Sequence, residues 1–296
     1  MPTIFNAVKR VLVGRPFRND NLAHTLLPKR IALPVFASDA LSSVAYAPDE
    51  ILLTLALAGV SAVAFSPWVG LAVMVVLLTV VASYRQNVHA YPSGGGDYQI
   101  ANENLGKYAG LTVASALLVD YVLTVAVSMS SAATYLTTAV PSLHGQQATI
   151  ATIGVVILAL VNLRGIKEAG RLFALPTYIF MASILGMTAI GVFQAATGQL
   201  GEAPSAAFTI VPAPGFDEGL VGLAGAFLLL RAFSSGAAAL TGIEAISNGV
   251  PNFQKPKSKN AATTLLLLGV IAASMLAGVI YLANATKVHI VLDPAT

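Results

Sequence analysis

Apolar stretches of about 20 residues recur along this chain between short polar breaks, and that repetition constrains its fold more than any single motif. A helix of such length crosses a hydrocarbon layer of about 30 Å, where each backbone N–H and C=O must be satisfied within its own segment. The runs lie at residues 31–60, 66–84, 108–139, 149–163, 172–196, 220–250 and 261–284, which predicts an all-α polytopic membrane protein of seven spans. Composition agrees: 56% of the 296 residues are hydrophobic and 10% are charged, outside the balance of soluble domains. With no cysteine, disulfides, thiolate metal sites and cysteine nucleophiles are excluded.

The basic residues set an expected orientation, because cytoplasmic loops collect Lys and Arg. Starting from a cytoplasmic N-terminus, the inner segments hold Lys9, Arg10, Arg15, Arg18, Lys29 and Arg30, then Arg85 and Lys107, then Arg164, Lys167 and Arg171, then Lys255, Lys257 and Lys259. These are 14 of the 16 basic residues; Lys287 falls outside and Arg231 within a span. Residues 1–30 therefore read as a basic cytosolic tail, without the apolar core and cleavage site of a signal peptide, and 31–296 as the transmembrane core of an inner-membrane protein. The same asymmetry accounts for the net charge of +3, so nucleic acid is not an expected partner.

Spans 1, 3 and 6 exceed a straight crossing, which implies tilt or a break. Span 1 carries Ser38-Asp39-Ala40-Leu41-Ser42-Ser43, and span 6 carries Ser234-Ser235-Gly236 and Leu240-Thr241-Gly242, interruptions inside apolar flanks. If the chain is built from two five-helix units of inverted topology, with the second beginning near residue 220, these are the first helices of each. Matched broken helices point to a binding site at mid-membrane.

Three acidic residues, Asp39, Asp120 and Glu244, lie inside spans 1, 3 and 6. Each costs about 2.5–3.5 kcal/mol at mid-bilayer on insertion scales. Such residues face a bundle interior or an aqueous cavity, where they bind a cation, carry a proton or pair with a base. Arg231 can neutralise one of them at most. Asp49 and Glu50, nearer the outer part of span 1, read as cavity-lining or vestibule residues. Asp120, Thr124 and Ser128 recur at intervals of four and share a helix face. Asp39 and Tyr46, seven apart, share one in span 1 if it is unbroken there, and Thr241 and Glu244 straddle Gly242, where unwinding would free backbone carbonyls. All are hard oxygen donors, suited to a monovalent alkali ion with a proton as coupling ion. The pattern does not choose between potassium and sodium.

Other signals carry less. Tyr91-Pro92-Ser93-Gly94-Gly95-Gly96-Asp97-Tyr98 lacks the Gly-Lys-Ser/Thr ending and preceding strand of a phosphate loop and reads as a flexible inner loop or gate. His24, His89, His144 and His289 show no ligand spacing, and no serine sits in a Gly-x-Ser-x-Gly elbow, so neither zinc nor enzyme chemistry is expected.

Four stretches carry a family resemblance. They are Ser38 to Tyr46, Tyr91 to Gly96, Leu118 to Ser128 and Ala239 to Pro251 (ALTGIEAISNGVP). They resemble the KUP branch of the amino acid-polyamine-organocation (APC) superfamily over nearly the whole chain. The resemblance implies a LeuT-like five-plus-five inverted-repeat fold, potassium uptake coupled to protons, and a homodimer in the bilayer. It also implies ion ligands at Asp39, Tyr46, Asp120, Thr124, Ser128, Thr241 and Glu244, with no cofactor. Members of the family are linked to cyclic di-AMP control, which no residue here displays. With seven spans where the family core has ten, a truncated product or fragment is expected. The alternatives are an amino acid or polyamine permease on the same scaffold and a non-transporting membrane scaffold. Against an amino acid, the span 1 break offers Asp39 rather than Gly-x-Gly, and a carboxylate there repels a substrate carboxylate.

Overall fold

The structure, a computed structural model, describes residues 26–163, 166–216 and 219–290; most of the expected 1–30 tail lies outside the described residues. The helices are α1 (Lys29–Ala56), the single turn α2 (Val60–Val63), α3 (Ser66–Ala90), α4 (Gly96–Leu105), α5 (Lys107–Ala139), α6 (Gln147–Asn162), α7 (Ile166–Ala196), α8 (Gly222–Gly236), α9 (Glu244–Asn248) and α10 (Lys257–Ala285). Among the described residues no strand forms, and the one extended pairing is a parallel bridge between Leu27 and Phe253.

Among the described residues, six segments are long and apolar enough to cross a membrane: Lys29–Ala56, Val60–Ala90, Lys107–Ala139, Leu172–Ala196, Gly222–Asn248 and Lys257–Ala285. The remaining expected span, residues 149–163, is a shorter apolar helix, α6. It has 16 residues, and at 1.5 Å per residue it reaches about 24 Å, short of a hydrocarbon core of about 30 Å. Exposed apolar side chains such as Trp68, Leu71 and Val75 on α3 and Leu118, Val122 and Leu123 on α5 form the surface that lipid would cover.

The expected break in span 1 does not occur, since α1 is helical throughout Lys29–Ala56. Its serines do not open the backbone: the Ser42 hydroxyl donates to the Asp39 carbonyl at 2.8 Å, and Ser43 bonds to other side chains. No glycine lies between Lys29 and Ala56 to reach a left-handed conformation. The helix also runs through Pro34 and Pro48, which have no N–H to donate one turn back. Span 6 does break. Helix α8 stops at Gly236, a 3₁₀ turn covers Ala237–Leu240, and α9 resumes at Glu244.

The chain divides into two compact units. The first comprises Met1–Phe36, Asn87–Pro176 and Glu244–Ala261, and the second Ala37–Gln86, Thr177–Ile243 and Ala262–Thr296. In the first, α5 packs against α4 and α6. Leu27 donates to Asn252 at 2.8 Å and accepts from Gln254 at 3.1 Å, and Phe36 stacks on Phe253 at 5.5 Å, tying the start of α1 to the segment after α9. In the second, small residues bring helices close, as they do in membrane bundles. Gly70 of α3 faces Ile280 of α10, Gly191 of α7 faces Leu282, and Gly236 of α8 faces Ile51 and Val73. The Asn284 amide also donates to the Ser66 hydroxyl at 2.9 Å.

Candidate functional site

In the second unit the break of span 6 meets α1 at Asp39. Thr241 is extended, with φ −63° and ψ 144°. Gly242 has φ +79°, and a Cβ added there would lie 2.5 Å from Asp39 Oδ2 and 3.0 Å from the Ala40 nitrogen. Glycine is therefore demanded twice at this position, by the left-handed backbone and by the approach of the carboxylate. The extended turn places the Thr241 hydroxyl 2.8 Å from both the Ala238 carbonyl and Ser43 Oγ, and Ser43 Oγ lies 2.8 Å from the Tyr46 hydroxyl. Of the expected ligands, Asp39, Tyr46 and Thr241 thus fall in one unit, with Tyr46 and Thr241 joined through Ser43. Ser43 itself is fully buried.

In the first unit Asp120, Thr124 and Ser128 lie along the half-buried side of α5, while Tyr121, Val122, Leu123, Val125 and Val127 are exposed. The shared face expected from their spacing is present. Other hydroxyls of this helix bond back to a carbonyl one turn earlier, as Thr112 does to Tyr108, Ser115 to Leu111 and Thr134 to Ser130. Among the described residues Thr124 and Ser128 make no such bond, nor do nearby Ser130 and Ser131, so these oxygens are not committed to the backbone. Glu244, at the start of α9, is 7% exposed. It lies within electrostatic reach of Tyr121, as do Asp120 and Asp97. The Asn248 amide donates to the Tyr121 hydroxyl at 2.8 Å. The Lys257 ammonium donates to the Pro251 carbonyl at 2.6 Å.

Some of this was not expected from the sequence. The stretch Tyr91–Tyr98 is a packed turn running into α4: a Cβ on Gly94 would lie 2.6 Å from Pro251 Cδ and 3.0 Å from the Asn248 carbonyl. Helix α4 is polar, and Gln99 spans it by accepting from Ser93 at 3.0 Å and donating to Glu103 at 2.8 Å. Beside it an open, largely apolar groove of about 910 Å³ is lined by Tyr98, Leu118, Tyr121, Val122, Val155 and Asn248. Asp49 and Glu50, expected to line a cavity or vestibule, are exposed near the end of α1, and Arg231 is exposed on α8.

Residues 35–292 match the family model described as amino acid permease. The chain belongs to the amino acid permease family. The family match agrees with the APC resemblance carried by the four sequence stretches. As a family member the chain is also 40% identical over 280 residues to the potassium transporter KimA of Bacillus subtilis (strain 168), covering 95% of this chain and 45% of that protein. It therefore spans less than half the length of the curated relative it matches. The permease match and the six membrane-length helices make this a multi-pass membrane protein.

Proposed function

We propose that this amino acid permease family member is part of a secondary active transporter of a monovalent cation, taking up potassium coupled to protons. Asp39, Tyr46 and Thr241 in one unit and Asp120, Thr124, Ser128 and Glu244 in the other are the residues that handle the ion. The observation that carries the reading is Glu244, a carboxylate 7% exposed inside a broken membrane segment. A buried charge of this kind costs several kcal/mol unless a cation, a proton or a polar partner offsets it. The potassium transporter named among the relatives supports the choice of ion. The distribution of Lys and Arg supports a cytoplasmic N-terminus in the inner membrane, and the resemblance supports a homodimer. A second reading, an amino acid or polyamine permease, is favoured by the family description, amino acid permease, and the amine of such a substrate also suits carboxylate and hydroxyl acceptors.

The test is growth at limiting potassium of cells stripped of their own importers. The complete reading frame containing this chain restores growth, and the same frame with Glu244→Gln does not. Equal growth of both would remove Glu244 from the ion path. Failure of both, with transport of labelled putrescine instead, would favour the amine reading.

A further inference from the structure

We infer that Ser43 is a positioning residue that fixes the hydroxyl proton of Tyr46 by relaying the direction set where Thr241 donates to the Ala238 carbonyl, so that both hydroxyls present only lone pairs to a ligand; the role rests on the cation reading above. Three oxygen–oxygen contacts join four groups in one unit: Tyr46 Oη to Ser43 Oγ, Ser43 Oγ to Thr241 Oγ1, and Thr241 Oγ1 to the Ala238 carbonyl, each at 2.8 Å. Each contact needs one proton, because two bare oxygens at that distance repel. The three hydroxyls supply one proton each and the carbonyl supplies none. A single assignment satisfies all three contacts. Thr241 donates to Ala238, Ser43 donates to Thr241, and Tyr46 donates to Ser43.

The direction of this relay matters for the ligand. A phenol proton free to turn can point at a bound cation and repel it. Once Tyr46 donates to Ser43, its remaining hydrogen-bonding capacity is acceptor only, and the same holds for Thr241 after donating to the carbonyl. Ser43 is fully buried, so no solvent competes for its proton. The pair is thereby matched to a cation or a proton-rich ammonium and offers no donor to an anion. The Ala238 carbonyl orients Thr241, but nothing in the identity of Tyr46 alone orients the phenol. Ser43 does so, and it stands outside the expected ligand set.

The experiment uses the whole chain in lipid nanodiscs, titrated calorimetrically with potassium chloride against choline chloride. Ser43→Ala weakens potassium binding about three- to tenfold, the range of one lost neutral hydrogen bond. In a Tyr46→Phe background the same change has almost no further effect, because the residue acts through the phenol. In parallel, the ultraviolet resonance Raman doublet of Tyr46, isolated by difference from Tyr46→Phe, shifts from a donor to a non-donor signature in Ser43→Ala. An unshifted doublet overturns the inference, as does an equal affinity loss in both backgrounds. If wild-type protein binds no potassium while the doublet still shifts, the cation reading fails and takes the role of Ser43 with it. The doublet separates that failure from an error in the relay itself.

Discussion

Gly242→Ala is expected to destabilise the protein by about 2–5 kcal/mol. The first part of that cost is backbone. At φ +79° a side chain pays about 1–2 kcal/mol for the left-handed conformation. The second part is overlap. The new methyl would lie 2.5 Å from Asp39 Oδ2, 2.9 Å from its Cγ and 3.0 Å from the Ala40 nitrogen. The last is backbone within a regular helix and cannot swing aside, so overpacking adds about 1–3 kcal/mol. Three other glycines of the same unit separate these parts. Gly198 has φ +70° with nothing within 4 Å of an added Cβ and pays only the backbone cost. Gly236 lies in the helical region with φ −65°, yet a Cβ there would sit 2.7 Å from Ile51, so it pays only for overlap. Gly186, helical with open space around it, gains about 0.4–1 kcal/mol from the stiffer unfolded chain. Denaturant titrations of the four alanine variants in one detergent give the comparison. Gly242→Ala should be the least stable, with a loss near the sum of those at Gly198 and Gly236. A loss at Gly242 no greater than at Gly198 would refute the close approach of Asp39.

Asp120→Asn removes the charge from the half-buried side of α5 and is expected to weaken potassium binding about tenfold or more in the same calorimetric titration, since a charge contact at an effective dielectric near 20 contributes several kcal/mol. Unchanged affinity would take the α5 oxygens out of the site. Asn248→Ala removes the 2.8 Å bond to Tyr121 and should cost about 1 kcal/mol of stability, seen in the denaturant midpoint; a neutral result would mean that water replaces the amide without loss. Glu202, outside the spans, is held below its ordinary value of 4.5 by the hydrogen bond and charge of Lys287, 2.5 Å away. A depressed carboxyl contributes stability above its unfolded value and loses it as pH falls through the folded one. Any difference between wild type and Glu202→Gln should therefore be small, present at neutral pH and gone in acid; a difference that grows on acidification would contradict the pairing.

The parts of the fold that depend on local composition were legible in the sequence. Apolar length located α5 and α10 to within a few residues and the start of α3, whose last turns, through Ala90, are more polar than the run that revealed it, since a span is selected by how many consecutive side chains tolerate hydrocarbon. The spacing of Asp120, Thr124 and Ser128 gave their common face, because helical periodicity is also local. Glycine separated right from wrong at the two expected breaks. Span 6 has Gly242 to reach a left-handed turn, whereas the Ser38–Ser43 stretch of α1 has polar side chains that bond within the helix or to Tyr46 and Thr241. Helix α4 was missed because Asp97, Gln99, Asn102, Glu103 and Asn104 give it no apolar run. The links from Ser43 to Thr241 and from Asn248 to Tyr121 join residues 198 and 127 positions apart. No single-chain pattern encodes such pairings.

The most direct measurement is potassium flux into proteoliposomes holding the complete gene product, with and without an imposed proton gradient. Proton-coupled cation uptake predicts accumulation above electrochemical equilibrium only when the gradient is present, abolished by Glu244→Gln. Potassium entry that ignores the gradient would contradict the coupling, and no potassium entry alongside uptake of a labelled amine would contradict the choice of ion.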